Sequence, residues 1–359
     1  MQFNAQQERA LSEIGRWLKR GDKQIFRLFG YAGTGKTTLA RHIAEGVDGD
    51  VLFAAFTGKA AQVLRSHGAR GASTIHSLIY RPRGEEMVKD EETGKQSVLP
   101  TFSLNRQSAL SKAKLVIIDE CSMVDEELGR DLLSFGTPVL VLGDPGQLPP
   151  VTGGGFFTEH QPDVLLEEVH RQARDNPLVD LAQTVREGRE IMIGDYGATA
   201  RVIGKQDVSA ELVLDADQVL VGTNRTRPRY NQRPRELKDF DGIHPAAGDK
   251  LVCLRNDTPK GLLNGSLWQV TSAPRSVKPW LSLLIRSEDE GIERVSARVK
   301  VLKAVFEDPD SDIPWQTKRR YDDFDFGYAL TVHKAQGSQW DDVVLFDESF
   351  AFRDTRERW

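Results

Sequence analysis

The eight residues from Gly30 to Thr37, Gly-Tyr-Ala-Gly-Thr-Gly-Lys-Thr, fit the G-x-x-x-x-G-K-[ST] phosphate-loop pattern without a mismatch and constrain this chain more than any other stretch. Ile25 to Phe29 before them is a short apolar run suited to a buried strand, and Thr38 to Ala44 after them suits a helix. Strand, glycine loop and helix thus arrive in the order the loop requires. Gly30, Gly33 and Gly35 let the backbone wrap a polyphosphate, with successive N–H groups and a helix N-terminus aimed at the anion. The expected cradle for ATP is Gly33, Thr34, Gly35, Lys36, Thr37 and Thr38; Lys36 reaches the β- and γ-phosphates and the Thr37 hydroxyl ligates Mg²⁺.

Three further apolar runs in the first 150 residues end in polar groups. Val51 to Phe56 leads into Thr57-Gly58-Lys59-Ala60-Ala61. Leu115 to Ile118 leads into Asp119-Glu120, the expected second half of a nucleotide site: Asp119 to hold Mg²⁺, Glu120 to orient or deprotonate the attacking water. Two adjacent carboxylates at the end of a buried strand repel unless a cation joins them. Val139 to Leu142 leads into Gly143-Asp144-Pro145-Gly146-Gln147-Leu148-Pro149-Pro150, where neutral Gln147 both donates and accepts, as a γ-phosphate sensor must. Four such units argue for an α/β protein with a parallel, doubly wound sheet. Ser73 to Ser77 opens another helix, and His76 taken alone reads as a surface histidine. Gln7 stands three residues after Asn4, the spacing of a capping box ahead of Ala10, Leu11, Ile14, Trp17 and Leu18; its amide also suits adenine recognition, and both readings stay open.

Before Tyr328 the patterns change twice. Arg81 to Lys114, with acidic residues at 85, 86 and 90–92, glycines at 84 and 94 and Pro100, is weakly periodic, the mark of an inserted hairpin or small subdomain, whereas Asp241 to Phe324 alternates in short segments broken by Gly, Pro and Asn, the mark of a small antiparallel β-barrel. Val164 to Leu166, Val219 to Val221, Tyr328 to Leu330 and Val343 to Phe346 read as strands of a second α/β unit. The chain has 359 residues, enough for two or more domains, and a net charge of −5, so any polyanion must be met by local patches. One candidate is Arg225 to Arg235, with arginines at 225, 227, 229, 233 and 235. Cys121 and Cys253 lie in unrelated contexts, which indicates no disulfide framework and a reducing cytoplasm, or that of a host if the protein is viral. No apolar run approaches the length of a membrane span.

Taken in order, these motifs resemble superfamily 1 helicases, in the branch that includes the RecD-like and Dda-like DNA helicases. The resemblance rests on Gln7, Gly30 to Thr37, Thr57 to Ala61, Thr74-Ile75-His76, Asp119-Glu120, Gly143 to Pro150, His170-Arg171 and Leu330-Thr331-Val332-His333-Lys334-Ala335-Gln336-Gly337. It implies two RecA-like domains (1–78 with 115–155, and 156–240 with 325–359), a wedge hairpin (79–114) and an SH3-like barrel (241–324). ATP lies in the cleft and single-stranded or forked DNA across both domains, with translocation 5′ to 3′. Arg171 acts as an arginine finger and Gly337 joins the nucleotide site. Thr57, Lys59, Thr74 and His76 in the first domain, and Asn224, Thr331, His333 and Lys334 in the second, contact DNA. The work implied is replication, repair or recombination beside proteins of those pathways. The family carries a further motif, with a second arginine finger, after the segment Phe350 to Trp359, where this sequence stops; a chain without it is expected to turn ATP over weakly while keeping nucleotide and DNA binding. An RNA helicase on the same motor, or a nucleotide-gated single-strand clamp that does not unwind, stays open.

Overall fold

The computed structural model describes residues 3–89, 96–147, 155–168, 176–240, 242–289, 295–308, 311 and 313–355. Helix α1 (Ala5–Arg20) starts from the expected capping box: the Asn4 side chain accepts from the Gln7 N–H at 2.8 Å and the Gln7 side chain accepts from the Asn4 N–H at 3.1 Å. It buries Ala10, Ile14 and Trp17 and stops at Gly21, which turns left-handed.

Strands and helices then alternate: β1 (Ile25–Gly30), α2 (Lys36–Glu45), β2 (Val51–Ala55), α3 (Gly58–Ser66), β3 (Ser73–Thr74), α4 (Ile75–Ile79), β4 (Tyr80–Lys89), β5 (Gln96–Leu104), β6 (Leu115–Asp119), α5 (Glu126–Leu133), β7 (Val139–Gly143) and β8 (Val164–Leu166). Six of these strands form a sheet in the order β3-β2-β6-β7-β1-β8, every pair parallel. The unbroken apolar spelling of β6 and β7 follows from burial on both faces. Alternate residues divide between two cores: Leu28, Ile117 and Leu140 pack with Leu39, Ile43 and Leu64 of α2 and α3, whereas Phe29, Ile118 and Val141 pack with Ile75, Ile79 and Leu132 of α4 and α5. Strands β4 and β5 pair antiparallel as a hairpin outside this sheet.

The placement of Val164 to Leu166 in the second unit is corrected. β8 is the outer strand of the first sheet, with Leu28 opposite Val164 and the Tyr31 N–H bonded to the Leu166 carbonyl. A three-residue apolar run reads alike whichever sheet accepts it, so its partner is set by tertiary packing.

After a short hairpin, β9 (Gly194–Tyr196) with β10 (Ala200–Val202), comes β11 (Gln218–Val221). Six strands follow: β12 (Lys250–Cys253), β13 (Leu267–Val270), β14 (Arg275–Val277), β15 (Trp280–Ser287), β16 (Ser296–Leu302) and β17 (Phe324–Phe326). They pair antiparallel around Trp268, Leu283, Ile285, Val299 and Phe324. Asp322 links the two ends of this sheet, its N–H bonded to the Lys300 carbonyl and its carboxylate accepting the Lys300 N–H. The chain then returns as β18 (Ala329–Thr331) and β19 (Val343–Leu345), which flank β11 in a parallel sheet ordered β18-β11-β19.

The arginine run is also corrected as a basic patch. Arg235 is fully buried and bonded to Asp249 at 3.0 Å, and Tyr328 donates to the same carboxylate at 2.9 Å. Arg227 pairs with Asp325 at 2.6 Å and Arg233 with Glu236 at 3.1 Å. Residues 227 and 235 are eight apart on one helix, Arg227–Leu237, hence on one face, and that face meets the returning chain. Arg225 and Arg229 remain exposed. Both cysteines are free and buried, and among the described residues no helix is long and apolar enough to cross a membrane.

Candidate nucleotide cleft and nucleic-acid face

β1 delivers the chain into the phosphate loop at the carboxyl end of the sheet. Gly33 and Gly35 have φ of 76° and 82°, a region open at little cost only to glycine, and Gly35 caps α2. Lys36 folds back on the loop, its Nζ donating to the Gly30 carbonyl at 2.6 Å and to the Tyr31 carbonyl at 3.0 Å. Thr34 is buried beneath the loop, its hydroxyl bonded to the Tyr31 carbonyl, and Thr38 lies in the first turn of α2. The capping reading of Gln7 is met: its Oε1 caps α1, while its Nε2 donates to the Thr34 carbonyl at 3.0 Å and ties α1 to the loop.

Asp119 closes β6 and accepts a hydrogen bond from Thr37 Oγ1 at 3.0 Å. Glu120 follows in the left-handed region at φ 53°, a strained setting for a side-chain-bearing residue and one typical of functional sites. Burial pushes the Asp119 carboxyl above its ordinary pKa, opposed by the hydrogen bond from Thr37 and the charge of Lys36. Glu120 is pushed up by burial first and by Asp119 second, opposed by a hydrogen bond from Gln147. Ser122 donates to Gln147 Oε1 at 3.1 Å and fixes that amide. The paired acids thus carry an unmet demand for positive charge. Thr37 and Asp119 offer hard oxygen donors, and among the described residues no cluster of three or more His, Cys, Asp or Glu could hold a metal. That donor set suits Mg²⁺, which keeps water and phosphate oxygens as its other ligands.

These residues open onto a cavity of about 630 Å³ whose far wall belongs to the other parallel sheet: Gln336, Gly337, Gln339 and Trp340 face Thr37, Asp119, Glu120 and Gln147. Gly337 also touches α3, since a Cβ there would lie 2.8 Å from the Ala60 Cβ. His67, at the end of α3, and Trp340 line this cleft without any motif to announce them. Arg171 lies outside the described residues.

The residues expected to meet nucleic acid fall at matching places in the two sheets. Thr57 follows β2 and Thr74 ends its partner strand β3, and each N-caps a helix, accepting from the N–H of Ala60 and of Ser77. Thr331 ends β18 and N-caps the helix Val332–Ala335, beside the loop after β11 that carries exposed Asn224. Glu348, a buried carboxylate that sequence reasoning missed, holds that loop by accepting from the N–H groups of Gly222 and Thr223 and the Thr226 hydroxyl at 2.8, 3.0 and 2.8 Å. Lys59 pairs at 2.6 Å with Asp289 of the antiparallel sheet. His76 packs between Tyr80 and Phe102 at the base of the hairpin, and His333 lies 6.0 Å from the Phe352 ring. Burial pushes both imidazoles below their ordinary pKa. Burial likewise lowers Lys334, assisted by the charge of Arg227.

Residues 2–207 match the model of the AAA domain, and residues 326–359 match that of the UvrD-like helicase C-terminal domain. The ATP-dependent RecD2 DNA helicase of Deinococcus radiodurans is 29% identical over 348 residues, 88% of this chain and 42% of the relative. The ATP-dependent DNA helicase dda of Enterobacteria phage T4 is 32% identical over 174 residues, 45% of this chain and 37% of the relative. The chain therefore spans less than half the length of these curated relatives. Among solved structures, a study of forked double-stranded DNA unwinding by two coordinating Pif1 helicases contains a chain with a TM-score of 0.56 and 20% identity, covering 96% of this chain and 86% of that one. Bacteroides Pif1 in complex with ADP-AlF3 and single-stranded DNA gives a TM-score of 0.55 at 19% identity, with 97% and 87% covered. Those two likenesses show the α/β fold with its parallel sheet. By the AAA-domain match over more than half its length, the chain belongs to the AAA-domain family, and its likeness to the RecD2 and Dda relatives is consistent with superfamily 1 helicases.

Proposed function

We propose that this chain is an ATP-driven motor that translocates on single-stranded DNA, 5′ to 3′, and unwinds duplex at a fork. The observation that carries the reading is the shared cleft: Thr37 at the end of the phosphate loop and the Asp119-Glu120 pair stand opposite Gln336 and Gly337 of the second lobe across one cavity. A nucleotide bound there touches both lobes, so its arrival and loss can change their separation, and threonine-capped helices on each lobe ride on that change.

In this reading Gln7 and the phosphate loop from Gly33 to Thr38 bind ATP, Thr37 and Asp119 hold Mg²⁺, and Mg²⁺ when bound neutralises charge on the β- and γ-phosphates. Glu120 takes the proton of the attacking water, Gln147 senses the γ-phosphate, and Arg171 supplies the arginine finger. Thr57, Lys59, Thr74, His76, Asn224, Thr331, His333 and Lys334 contact DNA. For Lys334 a nearby phosphate would offset the burial that now disfavours its charge. Residues 1–78 and 115–155, extended by β8, form the first RecA-like domain, and the second is residues 176–240 with 325–355. The hairpin β4–β5 is the wedge, and the antiparallel sheet within 241–324 is an SH3-like accessory barrel.

The test is a forked-duplex assay with DNA and RNA substrates, each bearing a 5′ or a 3′ tail. Unwinding of the 5′-tailed DNA fork with ATP and Mg²⁺ is expected. Preference for RNA makes the chain an RNA helicase, and ATP-dependent binding without unwinding makes it a single-strand clamp.

A further inference from the structure

The helix Pro177–Arg186 ends against the phosphate loop. Its last residue, Arg186, lays its guanidinium over the Tyr31 ring, 4.1 Å from the centroid. The same side chain touches the neighbouring loop, because a Cβ on Gly146 would lie 3.0 Å from Arg186 Cδ. Tyr31 follows β1 and Gly146 follows β7, adjacent strands with Phe29 opposite Gly143. Arg186 therefore bridges the phosphate loop and the loop after β7, whose Gly146 and Gln147 line the cleft.

Two features set it apart from an arginine that merely packs. Its hydrogen bonding is confined to Nε, which donates to the Ala182 carbonyl of its own helix at 3.2 Å, and among the described residues no carboxylate pairs with it. Its support is an aromatic face, which holds a cation without neutralising it. The terminal amino groups stay available for oxygen atoms, in the planar fork that suits phosphate. Next to Gly146, Gln147 bonds Glu120, the residue proposed to act on the attacking water. Lys36 now sits on the Gly30 and Tyr31 carbonyls, so its turn toward a nucleotide would free the backbone of the residue whose ring Arg186 covers.

We propose that Arg186 contacts the terminal phosphate of bound ATP, with Tyr31 as its positioning residue, and so makes the site favour triphosphate over diphosphate. The proposal rests on the reading that the phosphate loop binds ATP. It is tested by measuring, with Mg²⁺, the affinities of a non-hydrolysable ATP analogue and of ADP for the parent chain, Arg186→Ala, Arg186→Gln, Arg186→Lys and Tyr31→Leu. Either neutral variant of Arg186 should bind the triphosphate about tenfold more weakly, the loss of one charge-assisted contact, with ADP changed by less than about twofold. Arg186→Lys should recover part of the loss, and Tyr31→Leu should show a smaller loss with the same selectivity. Equal weakening of both nucleotides, or no change in either, overturns the proposal alone. A parent chain that binds neither nucleotide overturns it together with the reading beneath it.

Discussion

Glu120 shows how one backbone position can hold a side chain ready for chemistry. Its left-handed φ turns the chain sharply at the end of β6, so two consecutive acids meet one cleft instead of alternating across a strand. Burial and the neighbouring Asp119 both push its pKa up, which makes the carboxylate a better proton acceptor than a solvated glutamate. Glu120→Gln keeps the shape and the Gln147 contact but removes the basic oxygen. Turnover should fall by about 10²- to 10⁴-fold, the range for losing a positioned base. ATP affinity should hold within a few-fold, as read by nucleotide binding and single-turnover hydrolysis on one preparation. Hydrolysis at the parent rate would end the assignment of Glu120 as the base. Lys36→Ala makes the contrast, weakening binding and hydrolysis together, because in its proposed role the ammonium serves the phosphates themselves.

At the scale of elements, helix α3 is held from two sides. Its N-terminal Gly58 packs near Asn256 and Leu263 of the antiparallel unit, and Lys59 is paired there with Asp289. That ion pair is nearly buried, the side chains 12% and 4% exposed, and Asp289 Oδ2 has no hydrogen-bond partner among the described residues; in the proposed DNA-binding role of Lys59, the carboxylate occupies the place a phosphate would take. Asp289→Asn should free the lysine: affinity for single-stranded DNA rises, and the salt dependence of binding steepens by about 0.7 in log–log slope, the value of one added phosphate contact. Lys59→Ala in the same background should cancel both changes, and melting curves should show that all variants fold. An unchanged slope would make the pair a structural tie. Much of this element plan was legible beforehand, because the phosphate loop, the four strand ends and the inserted hairpin carry local chemistry. The Lys59–Asp289 pair was not, since its partners are 230 residues apart and neither spelling names the other. Glu348 was hidden for a related reason: an acid after a short strand looks solvated until the Gly222 to Thr226 loop folds over it. Arg235 and Arg227 misled in the opposite sense, their spacing describing a patch while their helix face turned inward.

At the scale of the whole molecule the proposed motor needs two lobes that meet closely without fusing, and Gly337 is one place where they do. Its φ of 78° already strains any L side chain, and an added Cβ would lie 2.8 Å from Ala60 Cβ, 3.3 Å from Ala60 Cα and 3.4 Å from Ala60 N. The backbone of α3 cannot yield as a flexible side chain would, so Gly337→Ala must move the Val332–Ala335 helix and the lobe behind it away from the first sheet. The phosphate loop lies wholly on the first lobe and is untouched. ADP affinity should therefore stay within about threefold of the parent, a change under 1 kcal/mol. DNA-stimulated hydrolysis should drop by more than about tenfold, because transition-state contacts supplied across the cleft are lost by small displacements. Basal hydrolysis without DNA should fall less, and the ratio of the two rates, measured on a protein whose melting curve matches the parent, reports the coupling between lobes. A Gly337→Ala protein whose DNA stimulation equals the parent's would mean that the contact with Ala60 is incidental and that the lobes work without closing at this point.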